Sequence, residues 1–461
     1  MEPHQKISWV IEACGKRFCT ASVAELVVPH GYPLDVHNVQ TDDGFILSIL
    51  RIPHGRAATN ATWGSSVGSH QKADQAARRP VVFLQHGLLD SAAGFLLNGP
   101  GRSLAFLLAD AGYDVWLGNV RGSTLSRTHL YLDPSSQLFW QWSYDEIAAY
   151  DMPAMLQYAL RTSGATSLRY VGHSQGTTSG DFLIFPFPPK LHACVCLSVS
   201  LFLIVSVRMY ISFLPPHAPL PKMFTLLGLH EFLPSQQLMA ELEGRLCAVQ
   251  PYLCVSFLAA LCGYNPDNLD NSRLPLYLRY TPAGTSVQNM AHWAQAIRSR
   301  APNTMSFFDY GVNCASRSGR CNQLMYGSIS PPRYNLTAIA TPLALFTGGS
   351  CDRLSTPIDL EYLLESLGPG VVQLSKNLEA YEHLDFIWGI DAKEALYDDV
   401  LRFLAGQDDG MQGYVCRAAC ALFPISLTYE LREGGRRCGE ATWVEASSRW
   451  GSPPRIPPCR A

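Results

Sequence analysis

Short, continuous apolar runs alternate with helical stretches along most of this chain, and that alternation limits its fold more than any other feature. Val81-Val82-Phe83-Leu84, Tyr113-Asp114-Val115-Trp116-Leu117 and Leu168-Arg169-Tyr170-Val171 read as strands, with helical stretches at 104–111 and 144–160 between them. A strand that is apolar throughout must be covered on both faces, so this pattern predicts βαβ units and a mainly parallel sheet flanked by helices. Pro153 interrupts the second helical stretch and demands a local adjustment, because proline lacks an N–H and crowds the preceding turn. Upstream, 36–39 and 45–50 read as strands joined by a turn at Asp42-Asp43-Gly44. The alternation returns with a strand at 341–346, a helix at 359–367 and a last helix at 391–404. Two segments interrupt it. Residues 54–80 are rich in Ala, Gly, Ser and Arg and read as an exposed loop, and 222 to about 326 reads as a mostly helical insertion without parallel strands.

Composition narrows the functional classes. The 461 residues are 47% apolar and 16% charged, which excludes global disorder. A net charge of −3, from 35 basic and 38 acidic residues, leaves no basic field for nucleic acid. The 14 cysteines include no C-x-x-C pair, and no H-E-x-x-H occurs, so no zinc site is read here. Residues 1–20 carry no apolar core of the kind a secretory leader needs. Residues 193–207 are apolar, but Arg208 ends the run short of the roughly 20 residues that span a bilayer, so a buried strand is expected. Asn60-Ala61-Thr62 is a glycosylation sequon, relevant only in a secreted chain. Beyond 406 no periodic segment remains, and a loose tail is expected.

The strongest chemical signal is Gly172-His173-Ser174-Gln175-Gly176, which follows the strand at 168–171 and leads into Thr177-Thr178. A sharp strand-to-helix turn lifts a serine hydroxyl above a sheet, and glycines on either side let the backbones pass closely. An ordinary glycine-rich βα loop shares the five-residue pattern; the apolar strand before it argues for a nucleophile. A nucleophilic serine needs a base and an orienting carboxylate, here expected in the order serine, acid, histidine. Asp352 follows the strand at 341–346 and the turn Thr347-Gly348-Gly349, and His383 lies in a loop before the last helix. Asp385, Asp359 and Glu382 are competing carboxylates. The backbone N–H groups of Gln175 and of Leu88, the latter in the loop after the strand at 81–84, are the expected oxyanion donors.

Five separated runs in this order resemble the acid lipase family of α/β-hydrolases, which includes gastric and lysosomal acid lipases and plant relatives. They are residues 84–89, 104–119, 172–178 (GHSQGTT), 282–293 (PAGTSVQNMAHW) and 383–388 (HLDFIW). The resemblance implies Ser174 as nucleophile, Asp352 as acid and His383 as base, with Leu88 and Gln175 forming the oxyanion hole. It implies hydrolysis of triacylglycerols or steryl esters at a lipid–water interface without a cofactor; no metal and no nucleic-acid partner are expected from the residues, and no protein partner is inferred. It implies an α/β-hydrolase core over 24–214 and 331–405 and a helical cap or lid over 215–330; the loose tail expected over 406–461 has no counterpart in the family. The family is usually secreted or lysosomal. Cys247, Cys254 and Cys262 resemble its cap cysteines, with Cys247–Cys254 the pair implied. Residues 181–221 depart from the family: Pro186, Pro188 and Pro189 cut short the helix after Ser174, leaving 194–199 to supply the next strand. The loop before Asp352 is one residue longer than usual, which predicts a small displacement of that carboxylate. An inactive lipid-binding or non-functional form, an acyltransferase and a short-chain esterase are the rival readings.

Overall fold

The computed structural model describes residues 21–56, 79–180, 191–197, 230–232, 263, 265, 267–298, 305–315, 319–349, 352, 354–355 and 357–409. Residue contacts divide the chain between Ala405 and Gly406. The sheet and the site belong to the first part.

The strands are β1 (Asp35–Gln40), β2 (Phe45–Ile52), β3 (Val81–Gln85), β4 (Asp114–Leu117), β5 (Thr128–His129), β6 (Leu168–His173), β7 (Leu191–Leu197), β8 (Glu231–Phe232), β9 (Thr285–Ser286), β10 (Leu343–Gly348) and β11 (Val372–Leu378). The main sheet runs β1-β2-β4-β3-β6-β7-β10-β11, with β5 paired to β2. β1 and β2 form the expected antiparallel hairpin, and β2 also meets β4 antiparallel. From β4 to β11 every pairing is parallel. Within β3, Val81 and Phe83 enter one core and Val82 and Leu84 the other. That period of two is why its sequence is apolar at every position.

The helices are α1 (Ala21–Val27), α2 (Leu104–Asp110), α3 (Met152–Ser163), α4 (Gln175–Gly180), α5 (Leu274–Tyr280), α6 (Val287–Arg298), α7 (Asn322–Tyr326), α8 (Pro357–Ser366), α9 (Asp385–Trp388) and α10 (Asp398–Asp409). α1, α2 and α10 cover one face of the sheet, while α3, α6 and α8 contribute to the core on the other. The stretch expected as a helix over 144–160 begins at Tyr144 and passes through a π-helical turn, Ile147–Asp151, before α3. Pro153 explains that turn: it cannot donate to the carbonyl four residues back, and its ring pushes that turn open.

Other differences from expectation have local causes. The last helix is π-helical over Lys393–Tyr397 and then runs on to Asp409, five residues past the expected end. β11 was not expected. It is the edge strand, alternating half-buried with exposed residues, so no apolar run announces it. β7 forms in place, pairing with β6 and β10, and starts three residues before the strand anticipated at 194. Within the insertion, α5, α6 and α7 accompany an antiparallel ribbon of β8 and β9. Cys314 and Cys321 form a disulfide that the cysteine spacing did not single out. The cysteines at 247, 254 and 262, the sequon, the prolines at 186–189 and residues 215–229 and 233–262 of the expected cap lie outside the described residues, as does the expected tail beyond 409. Among the described residues no helix is long and apolar enough to cross a membrane.

Arg121 ties three of these elements together. It is 1% exposed and its guanidinium meets Asp43 in the β1–β2 turn (2.6 Å) and Asp151 in the π-helical turn (2.7 Å), over the Phe45 ring at 4.2 Å. Its own N–H also donates to Asp151. Arg121→Met should leave Asp151 a buried, uncompensated carboxylate and lower unfolding free energy by about 3–5 kcal/mol. Urea denaturation read by circular dichroism measures this.

Asp145 is a buried acid of a different kind. Its carboxylate accepts from the Phe308 N–H (2.8 Å) and from the Tyr334 hydroxyl, with His292 Nδ1 at 3.8 Å. Burial pushes the Asp145 carboxyl up to about 7 and the His292 imidazole down to about 4. A carboxyl that holds its proton more tightly when folded contributes stability that is whole at low pH and lost as pH rises through about 7. The wild type should therefore lose about 1 kcal/mol of stability between pH 6 and 8 that Asp145→Asn does not lose. Denaturation midpoints of both proteins at the two pH values check the sign.

Candidate active site

The sheet order reverses at β3: β4 lies on one side of it and β6 on the other. Such a switch point opens a crevice beyond the carboxyl ends of the strands. Four of the expected residues or loops follow the carboxyl ends of β3, β6, β10 and β11.

Ser174 sits between β6 and α4 with φ at +53°, a left-handed backbone that a non-glycine residue rarely adopts. The turn is held by Thr177, whose N–H (2.8 Å) and hydroxyl (2.7 Å) both donate to the Ser174 carbonyl. A Cβ on Gly172 would lie 2.7 Å from the Gly176 carbonyl carbon, and one on Gly176 would collide with the Gln85 carbonyl oxygen. Both glycines are therefore required by close backbone approach. The β3 loop presses on the same turn, since a Cβ on Gly87 would lie 2.8 Å from Ser174 Cβ.

His383 Nε2 lies 2.8 Å from Ser174 Oγ, and its Nδ1 lies 3.2 Å from Asp352 Oδ1. Asp352 only accepts, so the ring proton belongs on Nδ1 and the Nε2 lone pair faces the serine hydroxyl. Asp352 Oδ1 also accepts from the N–H groups of Leu354 (3.0 Å) and Ser355 (3.1 Å). The Asp352 carboxylate lies within hydrogen-bond reach of the imidazole. Ser174, Asp352 and His383 are all buried. Of the competing acids, Asp385 turns away to accept from the Glu382 N–H and Asn265, and burial pushes it up to about 6. Asp359 lies in α8, and Glu382 is half-buried beside His383.

Two histidines that sequence reasoning left without a role brace the site. His173 Nε2 donates to the His383 carbonyl (3.2 Å). His86 Nδ1 donates to the Gly87 carbonyl (2.8 Å), while its Nε2 accepts from the Val120 N–H (3.3 Å). Burial holds His173 well below the usual imidazole range and His86 at about 4, so both stay neutral. Leu88 is half-buried after β3, and Gln175 is the first residue of α4. The Gln175 side chain accepts from Asn289 and Trp293 of α6. Those two residues stand in the matched run 282–293, the signal that could have found them. Among the described residues no cluster of His, Cys, Asp or Glu could hold a metal.

Comparison with known proteins agrees with this architecture. A family model described as a partial alpha/beta-hydrolase lipase region matches residues 23–99, and one described as the alpha/beta hydrolase fold matches 80–220. Gastric triacylglycerol lipase of Bos taurus is 39% identical over 388 residues, covering 83% of this chain and 91% of that protein. Lipase member K of Homo sapiens is 38% identical, covering 82% and 90%. Lysosomal acid lipase/cholesteryl ester hydrolase of Macaca fascicularis is 38% identical, covering 83% and 90%. Identity at this level over nearly the whole core, on an α/β sheet with a serine at its central strand-to-helix turn, makes the chain a member of the acid lipase family of α/β-hydrolases, a family of carboxylic ester hydrolases.

Proposed function

We propose that this chain hydrolyses carboxylic esters of long-chain fatty acids, triacylglycerols or steryl esters, through an acyl-enzyme on Ser174. The observation that carries the reading is the continuous contact from Ser174 Oγ through the His383 ring to Asp352. His383 Nε2 takes the hydroxyl proton as Oγ attacks the ester carbonyl. The tetrahedral oxyanion is received by the backbone N–H groups of Leu88 and Gln175. Collapse expels the alcohol, which takes the proton back from His383. A water molecule deprotonated by His383 then attacks the acyl carbon, Ser174 Oγ leaves with that proton, and the fatty acid is released. Asp352 keeps the imidazole in the right tautomer and stabilises its charged form.

The substrate class draws support from the relatives, one named for triacylglycerol and one for cholesteryl ester hydrolysis. The insertion over 215–330 acts in this reading as a cap that shields a long acyl chain from water until a lipid surface is met. β7, paired beside β6, supports the turn that carries Ser174.

A fluorophosphonate ester should label the wild type and leave Ser174→Ala unlabelled. Asp352→Asn should keep KM for a long-chain ester and lower kcat by on the order of 10⁴. A soluble, folded wild type that neither labels nor hydrolyses would sink the reading, and hydrolysis confined to short acyl chains would make it a short-chain esterase.

A further inference from the structure

The run from Thr281 to Trp293 reaches the Gln175 side chain at one end and the residues that follow Leu88 at the other, and so flanks both donors of the proposed oxyanion hole. At one end, the Ala283 N–H donates to the Leu89 carbonyl (2.7 Å), and the Thr281 hydroxyl donates to Asp90 Oδ1 (3.1 Å). These bonds pin the residues directly after Leu88, where Leu89 has a φ of +61°. The other end of the run is helical. Asn289 Nδ2 (2.9 Å) and Trp293 Nε1 (2.7 Å) both donate to Gln175 Oε1. Asn289 and Trp293 are fully buried, and Gln175 is 3% exposed.

The spacing has a helical cause. Residues four apart lie on one face of a helix, so Asn289 and Trp293 of α6 converge on one acceptor. Asn289 is itself held, donating also to Thr285 Oγ1 (3.0 Å), while its N–H donates to Ser286 Oγ (2.8 Å). The Trp293 ring packs on Tyr144 at 4.8 Å. Gln175 is thus anchored through its side chain at the point where its N–H must face a developing charge. Oxyanion donors act because they are already aimed before charge develops, and misalignment forfeits that advantage.

The geometry points to residues 281–293 as a strap that aligns the oxyanion hole, with Asn289 and Trp293 positioning Gln175 and with Thr281 and Ala283 positioning the Leu88 turn. Asn289 and Trp293 are positioning residues, since they act through Gln175. The inference rests on the hydrolase reading above and deepens it. It also joins the insertion to the chemistry, because α6 lies in the stretch between β7 and β10.

A purely structural role would move the melting temperature and leave turnover per folded molecule unchanged. The test uses the full chain and the soluble ester p-nitrophenyl butyrate. Trp293→Phe keeps the ring and removes the N–H. It should lower kcat about tenfold, with KM within about twofold, because small misplacements of catalytic groups reduce rate steeply. Gln175→Leu should lose at least as much, and the double variant should lose little more than Gln175→Leu alone, since that change already removes the bond from Trp293. Asn289→Asp, which turns a carboxylate oxygen on Gln175 Oε1, should behave as Trp293→Phe does and serves if that variant does not fold. Thr281→Val should lower kcat several-fold with the same KM pattern. Wild-type kcat in folded Trp293→Phe or Asn289→Asp, or losses that multiply in the double variant, would overturn the Gln175 arm; wild-type kcat in Thr281→Val would overturn the Leu88 arm. Fluorophosphonate labelling of wild-type Ser174 is read in parallel. Its absence would mean that the hydrolase reading had failed, whereas its presence with unaffected variants would remove the strap alone.

Discussion

The left-handed backbone at Ser174 is the constraint on which the site depends. A non-glycine residue held there costs on the order of 1–3 kcal/mol, and it persists only where the surroundings over-determine it. Here they do. Thr177 grips the Ser174 carbonyl twice, β6 and α4 approach closely enough to exclude a side chain at Gly172, α4 and the end of β3 exclude one at Gly176, and the β3 loop closes over the turn. The strained turn directs Oγ to the His383 imidazole at 2.8 Å.

A parallel sheet suits this arrangement because all its strands end on the same edge. Ser174 follows β6, the Leu88 loop follows β3, Asp352 follows β10 and His383 follows β11, so Ser174 and His383, 209 apart in sequence, meet there. The site residues on this edge are buried, and that sets its electrostatics. His86 and His173 both lie beside the serine turn, and burial keeps both neutral. Neither then opposes the positive charge that forms on His383 in the proposed mechanism. Each still serves as a strut, one on the β3 loop and one on the His383 backbone.

Legibility followed burial. β3, β4, β6 and β10 are buried at every position and announced themselves as apolar runs. β11 is half-exposed, with Lys376 reaching out to Asp399, and its sequence looks like a loop. β5, β8 and β9 are two residues each, too short for any period to show. The π-helical turn before Pro153 was foreseeable as a disturbance but not in its form, since several local rearrangements relieve the same missing N–H. The bridge between Cys314 and Cys321 rests on a loop geometry that cysteine spacing does not encode.

Local chemistry by itself determined the alternating α/β pattern, the serine turn and the order in which nucleophile, acid and base occur. These depend on neighbours in sequence: side-chain period, glycine beside serine, proline in a helix. Tertiary structure decided what those residues touch. It selected Asp352 over Asp385 and Glu382 by bringing one carboxylate to His383 and turning Asp385 to Asn265 and the Glu382 N–H. It also set Asn289 and Trp293 on Gln175, more than a hundred residues away. Both outcomes depend on where strand ends and helices meet in space, which the order of side chains along a chain does not specify.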